Sequence, residues 1–306
     1  MTNLNEIIKQ FTSSAEKSLP GRSDIAQLTL AGVLTGGHIL IEDIPGVGKT
    51  TLALILARLL GLHLNRIQCT NDMLPSDLIG PTIWHPGLQE FQFRPGPIFA
   101  EMVLVDELNR APSKTQGGLL QAMEEKQISV NGKEIELPKP FIVLATQNPS
   151  DGIANNPLPD SQLDRFCLSI NLPIPDREIE KIMILESDVR KKINDLPQLF
   201  NKQLLLEART KITPIFIHND LVNYAMKLLE TSRTWPARSF PLSTRTGRDL
   251  ILVAKALAFL NLKNEVLPQH IAMAFPHVAG HRLGGSKGVQ FGQAMAKEIL
   301  GKVAIP

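Results

Sequence analysis

Two cysteines, two tryptophans and one tyrosine are all of those residues that the 306-residue sequence contains. Cys69 and Cys167 each lie in an apolar, strand-like run, so they read as small core fillers in a reducing compartment and not as a disulfide. No run of about 18 apolar residues occurs, as a membrane span would need. The opening MTNLNEIIKQF places Glu6 and Lys9 where a secretion signal needs an apolar stretch. No membrane insertion is expected, and a cytoplasmic location is the default. An excess of one charge is also missing: 32 basic residues face 30 acidic ones, a net charge of +2. That balance provides no global field for a nucleic acid or an anionic membrane, and no nucleic-acid partner is expected. The tract Arg190-Lys191-Lys192 reads as a solvated helix end. Among seven histidines, only His277 and His281 have a metal-like spacing, and no carboxylate or thiol follows nearby to complete a metal site. What remains is an ordinary globular composition, 43% hydrophobic and 20% charged, long enough for two domains.

The most informative stretch is Asp43-Ile44-Pro45-Gly46-Val47-Gly48-Lys49-Thr50-Thr51. Its spacing is that of a glycine-rich phosphate cradle, except that Asp43 stands at the first glycine of the pattern. Before it, residues 38–41 form a buried apolar run; after it, residues 52–60 are apolar nearly all round, as in a helix packed inside an α/β domain. The helix start adds unpaired N–H donors and partial positive charge. Gly46, Val47, Gly48, Lys49, Thr50 and Thr51 are therefore candidate nucleotide ligands. Lys49 would reach the β- and γ-phosphates, and the Thr50 hydroxyl would sit on Mg²⁺. ATP and Mg²⁺ are the expected cofactors.

Four further apolar runs, at 64–69, 102–105, 141–145 and 166–170, alternate with helix and loop signals. Five strands of this kind predict a parallel sheet with helices on both faces and ligands at the carboxyl ends of the strands. The 102–105 run ends in Asp106-Glu107, where Asp106 would hold Mg²⁺ through water and Glu107 would orient and activate the attacking water. A solvated acidic turn is the plainer reading of such a pair taken alone. The 141–145 run ends in amides, and Asn148 is a candidate sensor of the γ-phosphate, able to donate without adding charge. Arg165 sits between a short helix and the last strand, where its own phosphate loop is out of easy reach. It reads either as an arginine finger for a neighbouring subunit or as an intramolecular partner of Asp164 or another acid.

The strings EDIPGVGKTTLA, QCTNDMLPSDLIG, FRPGPIFA, LVDELNRAPSKTQ, LLQAMEEKQISVNGK, LATQNPSDG, LPDSQLDRF, STRTGRDLI and HRL follow in order over most of residues 20–285. In them the chain resembles the MoxR family of AAA+ ATPases, in the branch with an insert in helix 2. The resemblance implies a nucleotide-binding α/β domain over residues 1–174 and an all-helical lid over 175–306. It assigns Lys49 and Thr50 to Walker A, Asp106 and Glu107 to Walker B, Asn148 to sensor 1, Arg165 to the arginine finger and Arg245 to sensor 2. Ser243 independently reads as an N-cap, placing Arg245 in a first helical turn. Residues 78–99 match the helix-2 insert, and 127–137, with Asn131-Gly132 at its centre, matches a hairpin before sensor 1. Arg110 is open to the adjacent protomer or the γ-phosphate. Two departures are the helix-weakening pair Gly117-Gly118 and Thr246, where the family commonly has alanine.

The expected function is an ATP-hydrolysing, self-associating, chaperone-like remodelling or maturation factor. A hexameric ring and a protein client, von Willebrand factor A domain proteins among the candidates, follow from the resemblance alone. The alternative is a nucleotide-regulated assembly or binding module with little turnover. A nucleic-acid motor is disfavoured by the balanced charge, and a small GTPase by the lack of an NKxD-type base-reading sequence.

Overall fold

The computed structural model describes residues 4–42, 48–148, 156–172, 177–178, 180–181, 189–236, 238 and 241–306. Its strands, in chain order, are β1 (Ile39–Glu42), β2 (Leu64–Gln68), β3 (Thr82–His85), β4 (Glu90–Phe93), β5 (Met102–Asp106), β6 (Gln127–Val130), β7 (Lys133–Glu136), β8 (Ile142–Gln147) and β9 (Leu168–Ile170). Five of them form one sheet in the order β2-β5-β8-β1-β9, with every pairing parallel. These are the five apolar runs read from the sequence.

The run-like composition has a simple cause: β1, β5 and β9 are buried at every residue because helices cover both sheet faces. Alternate side chains go to opposite sides. Met102, Leu104, Ile142 and Leu144 join a core that includes α1 (Leu4–Ser18), α2 (Ser23–Leu34), α3 (Lys49–Leu60) and the later helices. Val103, Val105, Val143 and Ala145 join a second core with α4 (Pro75–Ile79) and α5 (Ser113–Glu125). The edge strand β2 buries only Ile67.

α1 shows how the first core is stitched. Leu4, Ile7, Ile8, Phe11 and Ala15 are its buried residues, the three-and-four spacing of one helix face. Each fully buried Leu, Ile or Phe in such a stripe contributes about 1.5–3 kcal/mol.

Two antiparallel hairpins stand apart from the sheet. β6 and β7 are joined by Asn131 and Gly132, both in left-handed conformation (φ 52° and 76°), as the sequence leads one to expect. The other, β3–β4, lies within residues 78–99, which the sequence marks as an insert without foretelling a hairpin. It exposes Ile83, Trp84, Leu88 and Phe91, with Trp84 and Phe91 edge-to-face at 5.1 Å. The Asn131 side-chain amide donates to the Thr82 hydroxyl at 3.2 Å, so the two hairpins touch.

After β9 the described chain is helical: Val189–Asn194, Lys202–Ile212, Asn219–Thr234, Thr244–Leu260, Pro268–Gly284 and Val289–Lys302. The expected domain boundary at 174/175 lies outside the described residues. The 268–284 helix is held to β9 by two histidines. His277 Nδ1 is 3.0 Å from the Ser169 carbonyl, while His281 reaches the Ser169 hydroxyl and the Phe166 carbonyl, both at 3.1 Å. The i, i+4 pair that resembled a metal spacing thus works as a helix-to-strand staple.

Candidate active site

α3 begins at Lys49, directly after β1 and the loop. Gly48 is its N-cap with φ 95° and ψ 24°, a backbone conformation that strains any side-chain-bearing L residue. Lys49, Thr50 and Thr51, all partly exposed, fill the first turn. The N–H groups there lack intrahelical acceptors, and the helix dipole favours an anion. Gly46 and Val47 lie outside the described residues.

Asp106 ends β5, and Glu107 follows with φ 56°, a region that non-glycine residues seldom occupy. One hydroxyl from β8 fixes this turn. Thr146 Oγ1 accepts the Glu107 N–H at 2.9 Å and donates to Asp106 Oδ1 at 3.3 Å. The other Asp106 oxygen takes Arg66 Nε at 2.6 Å. Gln68 Nε2 donates to Glu107 Oε2 at 2.8 Å, and Arg110 Nη1 lies 3.2 Å from the same oxygen. Asn148, buried just beyond β8, has its carbonyl 3.4 Å from Asn109 Nδ2. The carboxyl ends of β1, β5 and β8 therefore carry Lys49, Thr50, Thr51, Asp106, Glu107 and Asn148 on neighbouring strands.

Several residues here were not foreseen. Gln68, Thr146 and Arg66 hold the two carboxylates, and two of them fall in recognisable strings without a signal of their own. Glu42, the last residue of β1, is buried as well. It accepts from Gln147 Nε2 at 2.5 Å and from the Val289 N–H at the start of the 289–302 helix. Gly288 permits this approach, since a Cβ there would lie 2.7 Å from Glu42 Oε1. The strand feeding the phosphate loop is thereby tied to the last helix of the chain.

Arg165 and Arg245 lie at the opposite end of the sheet. Arg165 precedes β9, whose Leu168 pairs with Ile39 at the start of β1, so the four residues of β1 separate it from the phosphate loop. At a rise of about 3.3 Å per residue that is roughly 13 Å of strand alone. Arg245 is in the first turn of the 244–260 helix, as the sequence implies. Ser243 caps that helix by accepting the Thr246 N–H at 3.2 Å, and Thr246 Oγ1 accepts the Ser243 N–H at 3.2 Å. The unusual Thr246 thus completes a capping box.

The two arginines meet on one carboxylate near the end of α5. Arg165 Nε is 3.3 Å from Glu124 Oε2, and Arg245 Nη1 is 3.1 Å from Glu124 Oε1. They border a cavity of about 250 Å³ shared with His38, Lys126 and Asp249. Arg165 therefore does pair with an acid, though with Glu124 and not Asp164. Both pairs are partly exposed, and such pairs are weakly held. Asp164 instead receives Arg282, whose buried guanidinium also binds Asp249.

His38 lies beneath this cavity. Its Nδ1 accepts the Val143 N–H at 3.0 Å, and Nε2 is 3.0 Å from the Met123 carbonyl, which makes it a neutral ring protonated on Nε2. Burial lowers its pKa to about 4, with Lys126, Arg209 and Arg245 adding to the effect and the Met123 bond opposing it. Burial pushes the thiols of Cys69 and Cys167 up to about 12, so neither is a nucleophile at neutral pH.

The donor set at the carboxyl end fits a magnesium nucleotide: a helix N-terminus and an ammonium group for phosphate, with hydroxyl and carboxylate oxygens for a hard divalent cation. Known proteins resemble the chain in two stretches. Residues 38–168 match the family model described as ATPase family associated with various cellular activities (AAA), and residues 230–302 match the AAA lid domain. The chain is 33% identical to the uncharacterised protein YeaC of Bacillus subtilis, covering 99% of this chain and 96% of the relative. It is 34% identical to the chaperone MoxR1 of Mycobacterium tuberculosis, over 95% of this chain and 78% of that protein. A crystal structure of a Cytophaga hutchinsonii protein superposes with a TM-score of 0.87 at 34% identity, covering 99% and 96% of the two chains.

Proposed function

The chain belongs to the MoxR family of AAA+ ATPases, and on that premise we propose that it binds Mg-ATP and hydrolyses it at a site completed by a second copy of itself. The observation that carries this reading is the separation of Arg165 and Arg245 from Lys49, across the length of the sheet. A cationic pair presented at one end, and a phosphate cradle at the other, complement each other between copies. Repeated head to tail, such a contact forms a ring if the rotation closes, and a hexamer is the ring we propose.

In this reading Lys49 and the first-turn N–H groups bind the β- and γ-phosphates, and Glu107 takes a proton from the attacking water while Asn148 orients it. Thr50 and Asp106 would hold Mg²⁺, which would neutralise charge on the phosphate oxygens. Arg165, with Arg245 beside it, is supplied to the neighbour's γ-phosphate, where a doubly charged anion outcompetes the partly exposed Glu124 carboxylate. The output we propose is remodelling or maturation of a partner protein, supported by the chaperone name of the Mycobacterium relative. A von Willebrand factor A domain client rests on family likeness alone.

One observation favours a second reading, a binding module with little turnover: Asp106 is bonded to Arg66 and Glu107 to Gln68 and Arg110. Both acids thus have partners within the chain. Phosphate release per subunit, measured against protein concentration alongside particle mass, separates the two. A rate that climbs with assembly supports catalysis between copies; a negligible rate in the assembled particle favours the module.

A further inference from the structure

The string HRL, conspicuous in the sequence, has one residue without a role so far. His281 staples its helix to β9, but Arg282 has no access to solvent: its side chain is 1% exposed. It cannot touch a nucleotide on either copy. Yet all three of its guanidinium nitrogens have acceptors. Nε donates to Asp164 Oδ1 at 2.6 Å, Nη2 donates to the Asp164 carbonyl at 3.1 Å and to Asp249 Oδ2 at 2.6 Å, and Nη1 donates to the Val278 carbonyl at 2.6 Å.

Each carboxylate stands behind one of the exposed arginines. Asp164 is the residue before Arg165. Asp249 is four residues after Arg245 and so lies on the same helical face one turn on. The Ser243 hydroxyl, at the cap of Arg245's helix, closes the triangle by donating to Asp164 Oδ2 at 3.2 Å. We propose that Arg282 is the positioning residue that mounts Arg165 and Arg245 as one rigid pair for the neighbouring copy.

Three features favour positioning over simple attachment. The 268–284 helix is already fastened to β9 through His277, His281 and Ser169. A buried ion cluster is an inefficient source of stability, since apolar residues of similar volume often serve as well or better. A planar guanidinium fixes the direction of each carboxylate it grips, which an ammonium or an apolar contact does not. The result is visible in front: the guanidinium groups of both arginines fall on the two oxygens of one Glu124 carboxylate. A displacement of about 1 Å at such a pair costs about 10²-fold in rate.

This inference rests on the reading that the arginines act on a neighbour, and its test separates the two. Full-length Arg282→Gln and Arg282→Lys are assayed for ATP hydrolysis alone, in equal mixture with Glu107→Gln, and in equal mixture with Arg165→Ala; ATP affinity and melting temperature are measured alongside. Because Arg282 is remote from its own phosphate loop, both variants should bind ATP with unchanged affinity and lose about 10²-fold in kcat with little change in KM. Mixing with Glu107→Gln, which supplies intact arginines, should restore activity, and mixing with Arg165→Ala should not. Ser169→Ala, which loosens the same helix without touching Asp164 or Asp249, should keep wild-type kcat. If Arg282→Gln fails to fold, Asp249→Asn must show the same split between kcat and KM. Wild-type kcat in Arg282→Lys or in Asp249→Asn, or a parallel loss of ATP affinity, overturns the proposal. So does failed restoration with Glu107→Gln when the Arg165→Ala and Glu107→Gln mixture recovers. If that reference mixture itself fails while both variants fold and assemble, the reading between copies falls and the mount falls with it.

Discussion

At the carboxyl end of the sheet, each polar group of the candidate site sits on or just beyond a strand or at the start of α3, and both carboxylates take partners from adjacent strands. Thr146 of β8 holds Asp106 of β5 and the Glu107 that follows it, and Gln68 of β2 holds Glu107. At the amino end, Glu124, Arg165, Arg245 and Arg282 come from four separate stretches of chain and are joined only by tertiary contacts. The carboxylates of the first site are placed by hydrogen bonds from neighbouring strands. The second is only as well placed as the contacts of Arg282 with Asp164 and Asp249, and this makes it the end at which side-chain geometry after β9 can set activity.

The sharpest way to break this comparison is to remove a cation from the amino end. Arg165→Ala should lower hydrolysis by about 10³-fold or more while leaving ATP affinity, measured by calorimetry, unchanged; a parallel loss of affinity would place Arg165 at its own phosphate loop. At the other end, Glu107→Gln should lower turnover by about 10²- to 10⁴-fold, again with ATP bound. Wild-type turnover there would remove Glu107 as the base.

Acid should act on the amino end through His38. Its pKa is lowered to about 4 in the folded protein, against about 6.5 in the unfolded chain. The unfolded state therefore binds more protons between those values. Stability from this group is complete above pH 6.5 and declines as pH falls toward 4, by about 3 kcal/mol in all. Denaturant unfolding at pH 7 and pH 4.5 should reveal the loss. His277 and His281 are shifted the same way by burial, so His38→Gln should flatten the slope without abolishing it. An unchanged slope would contradict the neutral, buried His38.

Smaller effects should sharpen the contrast. Gln68→Ala removes one hydrogen bond to Glu107 and should lower kcat by about tenfold or less, with KM little changed; an effect on ATP binding alone would point to a different role. α5 joins the two ends, and a Cβ added at Gly117 or Gly118 in it would meet nothing within 4 Å. Gly117→Ala should stabilise the fold by up to about 1 kcal/mol and leave kcat unchanged. A lower melting temperature would show that the helix needs that glycine.

How much of this was legible follows from the same difference between the ends. β1, β5 and β9 were readable because burial on both faces leaves each of them a single polar residue. The placement of Lys49, Asp106 and Asn148 at a helix start and strand ends was readable because each lies in a short, contiguous string. The cap at Ser243 was readable too, since capping depends on residues three apart. Glu124 was not, because nothing local distinguishes it from its neighbour Glu125; only the fold brings it beneath Arg165 and Arg245. Arg282 lay in a recognisable string, yet its partners stand 118 and 33 residues away. The β3–β4 hairpin was missed because its strands are only four residues each and no Asn-Gly joins them.

The central claim is that the two ends work on each other between copies. Its most direct test holds total protein and Mg-ATP constant and measures phosphate release as Arg165→Ala subunits are progressively mixed with Glu107→Gln subunits. The account predicts little activity at either extreme and a maximum near equal proportions, where intact sites meet intact arginines. A flat, inactive profile from subunits that bind ATP and assemble together would contradict it.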